Sequence, residues 1–347
     1  MRLEDLPVDI WREMDEFLNF RSVVALFCCG NRLLNARLSI QGGIRSFYMK
    51  FNSNTKKLGW LPIVAQFEHL RVFDYRTGEV PHNVMFYPLQ SDLRVLSASL
   101  EVLVLRADGA ECAFWADSRD SLDASVVSPR AVPFDIGSQW PHLRVLDLLQ
   151  YSVSASPAHG LGAILRTLPG TLETLRVRLD DVHCIADLPH GLLRLAVIST
   201  RFSPKAFSNL PPNLQELDLT LSHFHVEPPQ SFFDLPRTLL KLTLTMPRHY
   251  GPEIVQYLPT SLVYFNGRDS ITSSWFSPIS ETLTHLNHLV IAWDYFSNLL
   301  PKDTPAAKML RYIKIVEYGA TGWTWTPSDQ GGGSWESCNL PTVSEYY

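Results

Sequence analysis

A leucine pattern that returns every 20–25 residues limits this chain more than any other feature. The opening Leu-Pro-x-x-Leu occurs as LPGTL, LPHGL, LPPNL, LPRTL and LPTSL, led by Leu168, Leu188, Leu210, Leu235 and Leu258. Each opening runs into a hexad close to L-x-x-L-x-L: LETLRV, LLRLAV, LQELDL, LLKLTL and LVYFNG. The spacing continues without proline in LNHLVI from Leu286 and LRYIKI from Leu310. Upstream, LRVLDL, LEVLVL and LRVFDY begin at Leu143, Leu100 and Leu70. A degenerate hexad, LDASVV from Leu122, divides the 43 residues between Leu100 and Leu143 into steps of 22 and 21.

Alternation of apolar and polar residues over six positions suits a strand with one buried face. A single unit cannot bury its own leucines; stacked units can, with hexad positions 1, 4 and 6 behind a continuous parallel sheet. The segments that return to the next strand, such as RFSPKAFSN and HFHVEPPQSFFD, lack helical periodicity and predict irregular or single-turn connections. Residues 60–318 resemble leucine-rich repeats, in particular the variety opened by Leu-Pro. The resemblance implies an α/β leucine-rich-repeat solenoid over residues 46–318 with the parallel sheet on its concave face. Repeat strands are then expected near residues 70, 100, 122, 143, 172, 192, 214, 239, 262, 286 and 310. Residues 319–347 read as a Gly/Ser/Trp-containing tail whose tryptophans fold back over the last repeat.

The first 45 residues depart from the period. Leu6, Ile10, Met14 and Leu18 recur at steps of 4, which makes an amphipathic helical face. Pro7 suits a first helical turn, and Ser22 and Asn31 are N-cap residues for two further short helices. Three short helices cannot stabilise themselves alone, so they either cap the repeats or present an apolar face to another protein. Leu6, Pro7, Ile10, Met14, Phe17, Leu18, Phe20, Val23, Leu26 and Cys28–Cys29 follow an order that resembles an F-box.

That resemblance implies that Leu6, Pro7, Ile10, Met14, Leu18, Val23 and Leu26 bind a Skp-type adaptor. The chain would then be the substrate-recognition subunit of a cullin-RING ubiquitin ligase, itself without catalytic residues or cofactor. The alternative is a repeat scaffold for protein interaction whose N-terminal helices only cap the array.

The remaining sequence points the same way. A net charge of −5 argues against sequence-blind binding of nucleic acid. No apolar run reaches the roughly 20 residues of a membrane span. Five cysteines without C-x-x-C spacing imply neither a disulfide framework nor a zinc site, and an intracellular protein, cytoplasmic or nuclear, is expected. His223 and His225 have no evident third ligand, and Asp180–Asp181 read as a solvated turn.

Between the buried leucines, the outward hexad positions form columns across the strands. Tyr264, Arg268, His288, Trp293 and Tyr312 concentrate aromatic and basic side chains in the last three repeats. Such residues dominate protein-interface energetics, so these five are the expected contacts to a protein substrate, with Trp293 as anchor.

Overall fold

The computed structural model describes residues 46–51, 64–65, 67–77, 93–107, 135–153, 165–179, 182–199, 204–221, 229–244, 251–267, 275–292, 312–316, 321–327 and 333–339. The chain divides into two compact units, Met1–Asp180 and Asp181–Tyr347.

Among the described residues the first unit contains five strands: β1 (Ser46–Phe51), β2 (Val72–Thr77), β3 (Val102–Ala107), β4 (Val145–Val153) and β5 (Thr174–Leu179). Each pairs in parallel with the next. The hexads account for this. Positions 1, 4 and 6 of the hexads from Leu70, Leu100, Leu143 and Leu172 are all no more than 2% exposed. β1 belongs to one more repeat than the leucine pattern shows, because its segment IRSFYM carries Ile44, Phe47 and Met49 at the leucine positions. Its Phe47 stacks on Phe73 of β2 with ring centroids 5.8 Å apart. β3 pairs directly with β4, Val102 with Val145, which leaves no place between them for a strand from the hexad at Leu122. That hexad lies outside the described residues. Between Leu148 and Ser152 of β4 the register with β5 shifts by a bulge.

A short helix, Ile136–Gln139, leads into β4. Asp135 caps it by accepting from the Ser138 backbone N–H (2.9 Å) and hydroxyl (2.5 Å). The Ser138 hydroxyl, with its backbone N–H second, holds the Asp135 carboxyl below its ordinary 3.8. Gly137 donates to the Thr167 carbonyl at 2.7 Å. A Cβ at Gly137 would stand 2.6 Å from that oxygen, so the close approach requires glycine.

In the second unit β6 (Arg194–Ser199), β7 (Glu216–Leu221), β8 (Lys241–Leu244), β9 (Tyr264–Asn266), β10 (His288–Ala292) and β11 (Tyr312–Val316) are again parallel. Among the described residues of this unit the return segments are short helices of six or seven residues, about two turns each, rather than the irregular or single-turn connections expected. Four are 3-10 helices, Val182–Asp187, Pro204–Asn209, Pro229–Asp234 and Pro252–Tyr257, and one is an α-helix, Phe276–Thr282. Each 3-10 helix buries an apolar side chain behind the leucines: Ile185, Phe207, Phe232 and Val255. Phe207 and Phe232 touch across neighbouring repeats, with ring centroids 5.3 Å apart.

The Leu-Pro opening has a defined job. The proline carbonyl accepts the N–H of the first hexad leucine, at 3.1–3.2 Å from Pro189 to Leu192, Pro211 to Leu214, Pro236 to Leu239 and Pro259 to Leu262. This turn drops the chain into the strand while the leucine before the proline donates back to the 3-10 helix, as Leu210 does to Phe207. Proline loses nothing here, since its nitrogen is not needed as a donor.

The C-terminal segment is not a tail over the last repeat. It forms two strands of the sheet, β12 (Thr321–Pro327) and β13 (Gly333–Asn339). β12 runs antiparallel to β11, and β13 antiparallel to β12. The alternating sequence TGWTWT explains the change, because threonine and aromatic residues at period 2 favour a pleated strand. The register sets Trp325 opposite Ile313 and Trp323 opposite Ile315, the leucine positions of the last hexad.

Candidate protein-binding face

The parallel register of the second unit carries hexad position 3 straight across the strands. Arg194, Glu216, Lys241, Tyr264, His288 and Tyr312 are successive partners in one column. Position 3 lies on the opposite face from the buried positions 4 and 6 because side chains alternate along a strand. Leu217 is 2% exposed while its neighbour Glu216 is half-buried, as that alternation requires.

The column has two halves of different character. In the first, Glu216 is held between cations: its Oε1 lies 2.8 Å from Lys241 Nζ and 3.6 Å from Arg194 Nε. In the second, the half-buried Tyr264 and exposed His288 set their rings 6.4 Å apart at 34°. A cross-strand pair of this kind presents a broad amphipathic surface with donors at its rim.

Position 5 forms a second column on the same face: Ala196, Asp218, Thr243, Asn266, Val290 and Lys314. Asn266 is 8% exposed, and among the described residues no donor reaches its Oδ1. A buried amide oxygen without a partner is costly, and an N–H from a bound chain would satisfy it. The aromatic pattern at position 3 gave no hint of Asn266; the available signal was a polar residue at position 5 of LVYFNG.

Tyr264 and His288 are neighbours across β9 and β10, and Tyr312 is the register partner of His288 on β11. Arg268 and Trp293 lie outside the described residues, as do Leu6, Pro7, Ile10, Met14, Leu18, Val23 and Leu26. β10 ends at Ala292, and His288, Val290 and Ala292 are the residues that share its outward face.

The first unit has a different pattern. Position 2 alternates in charge as Arg71, Glu101, Arg144 and Glu173. Arg71 lies 3.3 Å from Glu101, and Arg144 lies 2.7 Å from Glu173 with a second bond to the other carboxylate oxygen. On the outward face Arg176 reaches the buried Asp147 at 3.3 Å. Among the described residues no group of three or more His, Cys, Asp or Glu is placed to hold a metal ion, and no helix is long and apolar enough to cross a membrane.

No protein-family model matches the chain, and no curated protein matches it. Among solved structures it is similar to the leucine-rich repeat-containing protein LegL7 from Legionella pneumophila. That pair shares 12% identity over 86% of this chain and 88% of the other, with a TM-score of 0.41. So slight a likeness carries no argument. The repeated parallel architecture of this chain is seen in its own strand register and buried hexads.

Proposed function

We propose that the chain is a protein-binding receptor whose partner lies on the outward face of the second unit's strands. The observation that carries this reading is the run of Tyr264, His288 and Tyr312 at one register position on three adjacent strands. Aromatic side chains contribute large contact area at small entropic cost, and an unpaired Asn266 oxygen beside them offers a backbone-directed hydrogen bond. In the finer form of the proposal, Leu6, Pro7, Ile10, Met14, Leu18, Val23 and Leu26 dock a Skp-type adaptor and so a cullin scaffold. The chain then performs no bond-making itself; it raises the rate of ubiquitin transfer by holding the substrate near the carrier.

A second reading has its own support. β1 begins at Ser46, so the segment expected from sequence to be helical adjoins the first repeat along the chain. One experiment separates the two. The full chain and its Leu6→Ala/Pro7→Ala variant are tested for capture of a purified Skp-type adaptor, and both are melted. The receptor reading expects capture by the parent, none by the variant, and equal melting temperatures. No capture by the parent, together with a lowered melting temperature for the variant, would establish the cap. For the partner face, Tyr264→Ala should weaken capture of the cellular partner by about 2 kcal/mol, roughly 30-fold, without altering adaptor binding.

A further inference from the structure

Beside the aromatic column the outward face of the second unit sinks to two buried residues. Asn266 is 8% exposed, and its register partners at position 5 are Thr243 on β8 and Val290 on β10, the latter 6% exposed. Tyr264 and His288, at position 3, are more open: one is half-buried and the other exposed. Among the described residues nothing donates to Asn266 Oδ1. A buried carboxamide oxygen left so costs stability, and an apolar side chain of similar breadth would not. The register neighbours carry no charge, so a cation brought here would lose its water with no carboxylate in register to meet it. The group fits a neutral donor. A half-turn about Cβ–Cγ exchanges its oxygen and nitrogen, so it can also offer an N–H to a carbonyl.

Resting on the receptor reading above, we propose that the partner presents an extended, unpaired main-chain segment, one of whose peptide N–H groups is donated to Asn266. Main-chain N–H groups inside helices and sheets are already engaged, so a segment outside such structure is what has one to give. Spacing supports this. Tyr264 and Asn266 are two residues apart on one face of β9, about 7 Å, which is also the side-chain repeat of an extended chain. A segment lying along β9 can rest an apolar side chain on Tyr264 and His288, whose ring centroids are 6.4 Å apart, while its next peptide group meets Asn266. Because Asn266 is recessed, the residue above it must be small: glycine, alanine or serine. Specificity then comes from the aromatic contact, and the main chain sets the register.

The test begins with random linear peptides displayed on phage and selected on the full chain. The tightest is synthesised, and each backbone amide in turn is replaced by an ester, which deletes the N–H and adds no bulk. Fluorescence anisotropy on the full chain should find one position at which the ester costs about tenfold in affinity. Asn266→Val should cost a similar factor and abolish the effect of that ester, as a double-mutant cycle reports for two groups in contact. The same variant should melt at or above the parent, since an unpaired buried oxygen has been removed. Should Asn266→Val unfold, Asn266→Ala takes its place in the cycle. Peptides that need Tyr264 but are indifferent to Asn266 and to every ester overturn this inference and leave the receptor face standing. Peptides indifferent to Tyr264→Ala as well overturn both. Failure to select any linear peptide overturns the extended-segment partner.

Discussion

Adjacent side chains in one strand can have opposite fates, and Glu216–Leu217 is the clearest case. Leu217 is position 4 of its hexad and 2% exposed; Glu216 stands on the outer face between two cations. Leu217→Asp buries a charge without a partner and should cost about 3 kcal/mol or more. Glu216→Ala removes only surface ion pairs and should cost under about 1 kcal/mol. Thermal or urea unfolding of both variants checks this, and equal losses would refute the register. Asp135 gives a pH-dependent counterpart. Its carboxyl is lowered below 3.8 in the folded chain by the Ser138 hydroxyl, so the cap's contribution is present above that value. It is lost as pH falls through the lowered folded value. Asp135→Ala should therefore cost about 1 kcal/mol at pH 7, and the gap from the parent should close in strongly acid buffer.

A repeat is joined to the next by more than apolar contact. The carbonyl at hexad position 2 accepts two N–H groups from the following repeat, as Gln215 does from Leu240 (2.8 Å) and Lys241 (3.0 Å). A hydroxyl before the hexad adds a second tie. Thr238 Oγ1 donates to the carbonyls of Pro212 and Leu214 at 2.9 and 2.8 Å, and Ser261 reaches back to Arg237 and Leu239 at 2.8 and 2.6 Å. In the first unit Thr171 does the same to Pro141 and Leu143. Thr238→Val keeps the shape and deletes the donor, so a loss of about 1 kcal/mol in unfolding free energy is expected. What could be read from the sequence follows the same division. The leucines of LQELDL and LLKLTL announce their strands because every copy repeats the spacing. β1 was hidden because its segment carries Phe47, 1% exposed, where the other hexads carry leucine; the hexad LDASVV lies outside the described residues, and β3 pairs directly with β4. Tyr264 and His288 were legible as outward aromatics, whereas Asn266 matters through its burial, which only packing reveals.

For the molecule as a whole, the decisive question is how a stack of like units stops. A parallel strand at the margin of a sheet offers its neighbour-facing N–H and C=O groups to any other chain. At β11 these groups are taken by β12, and the hairpin is completed by β13. Removing residues 317–347 should therefore leave β11 open, and size-exclusion chromatography with light scattering should report concentration-dependent assemblies absent from the full chain. The change of strand direction also decides where a further unit can be accommodated. Duplicating one unit between β6 and β11 adds a strand that finds equivalent neighbours on both sides, because each junction there is parallel. The same insertion after β12 meets a neighbour of reversed polarity, and its leucines have no matching row to join. An added unit thus finds matching neighbours among β6–β11, whereas the antiparallel hairpin offers it no equivalent junction.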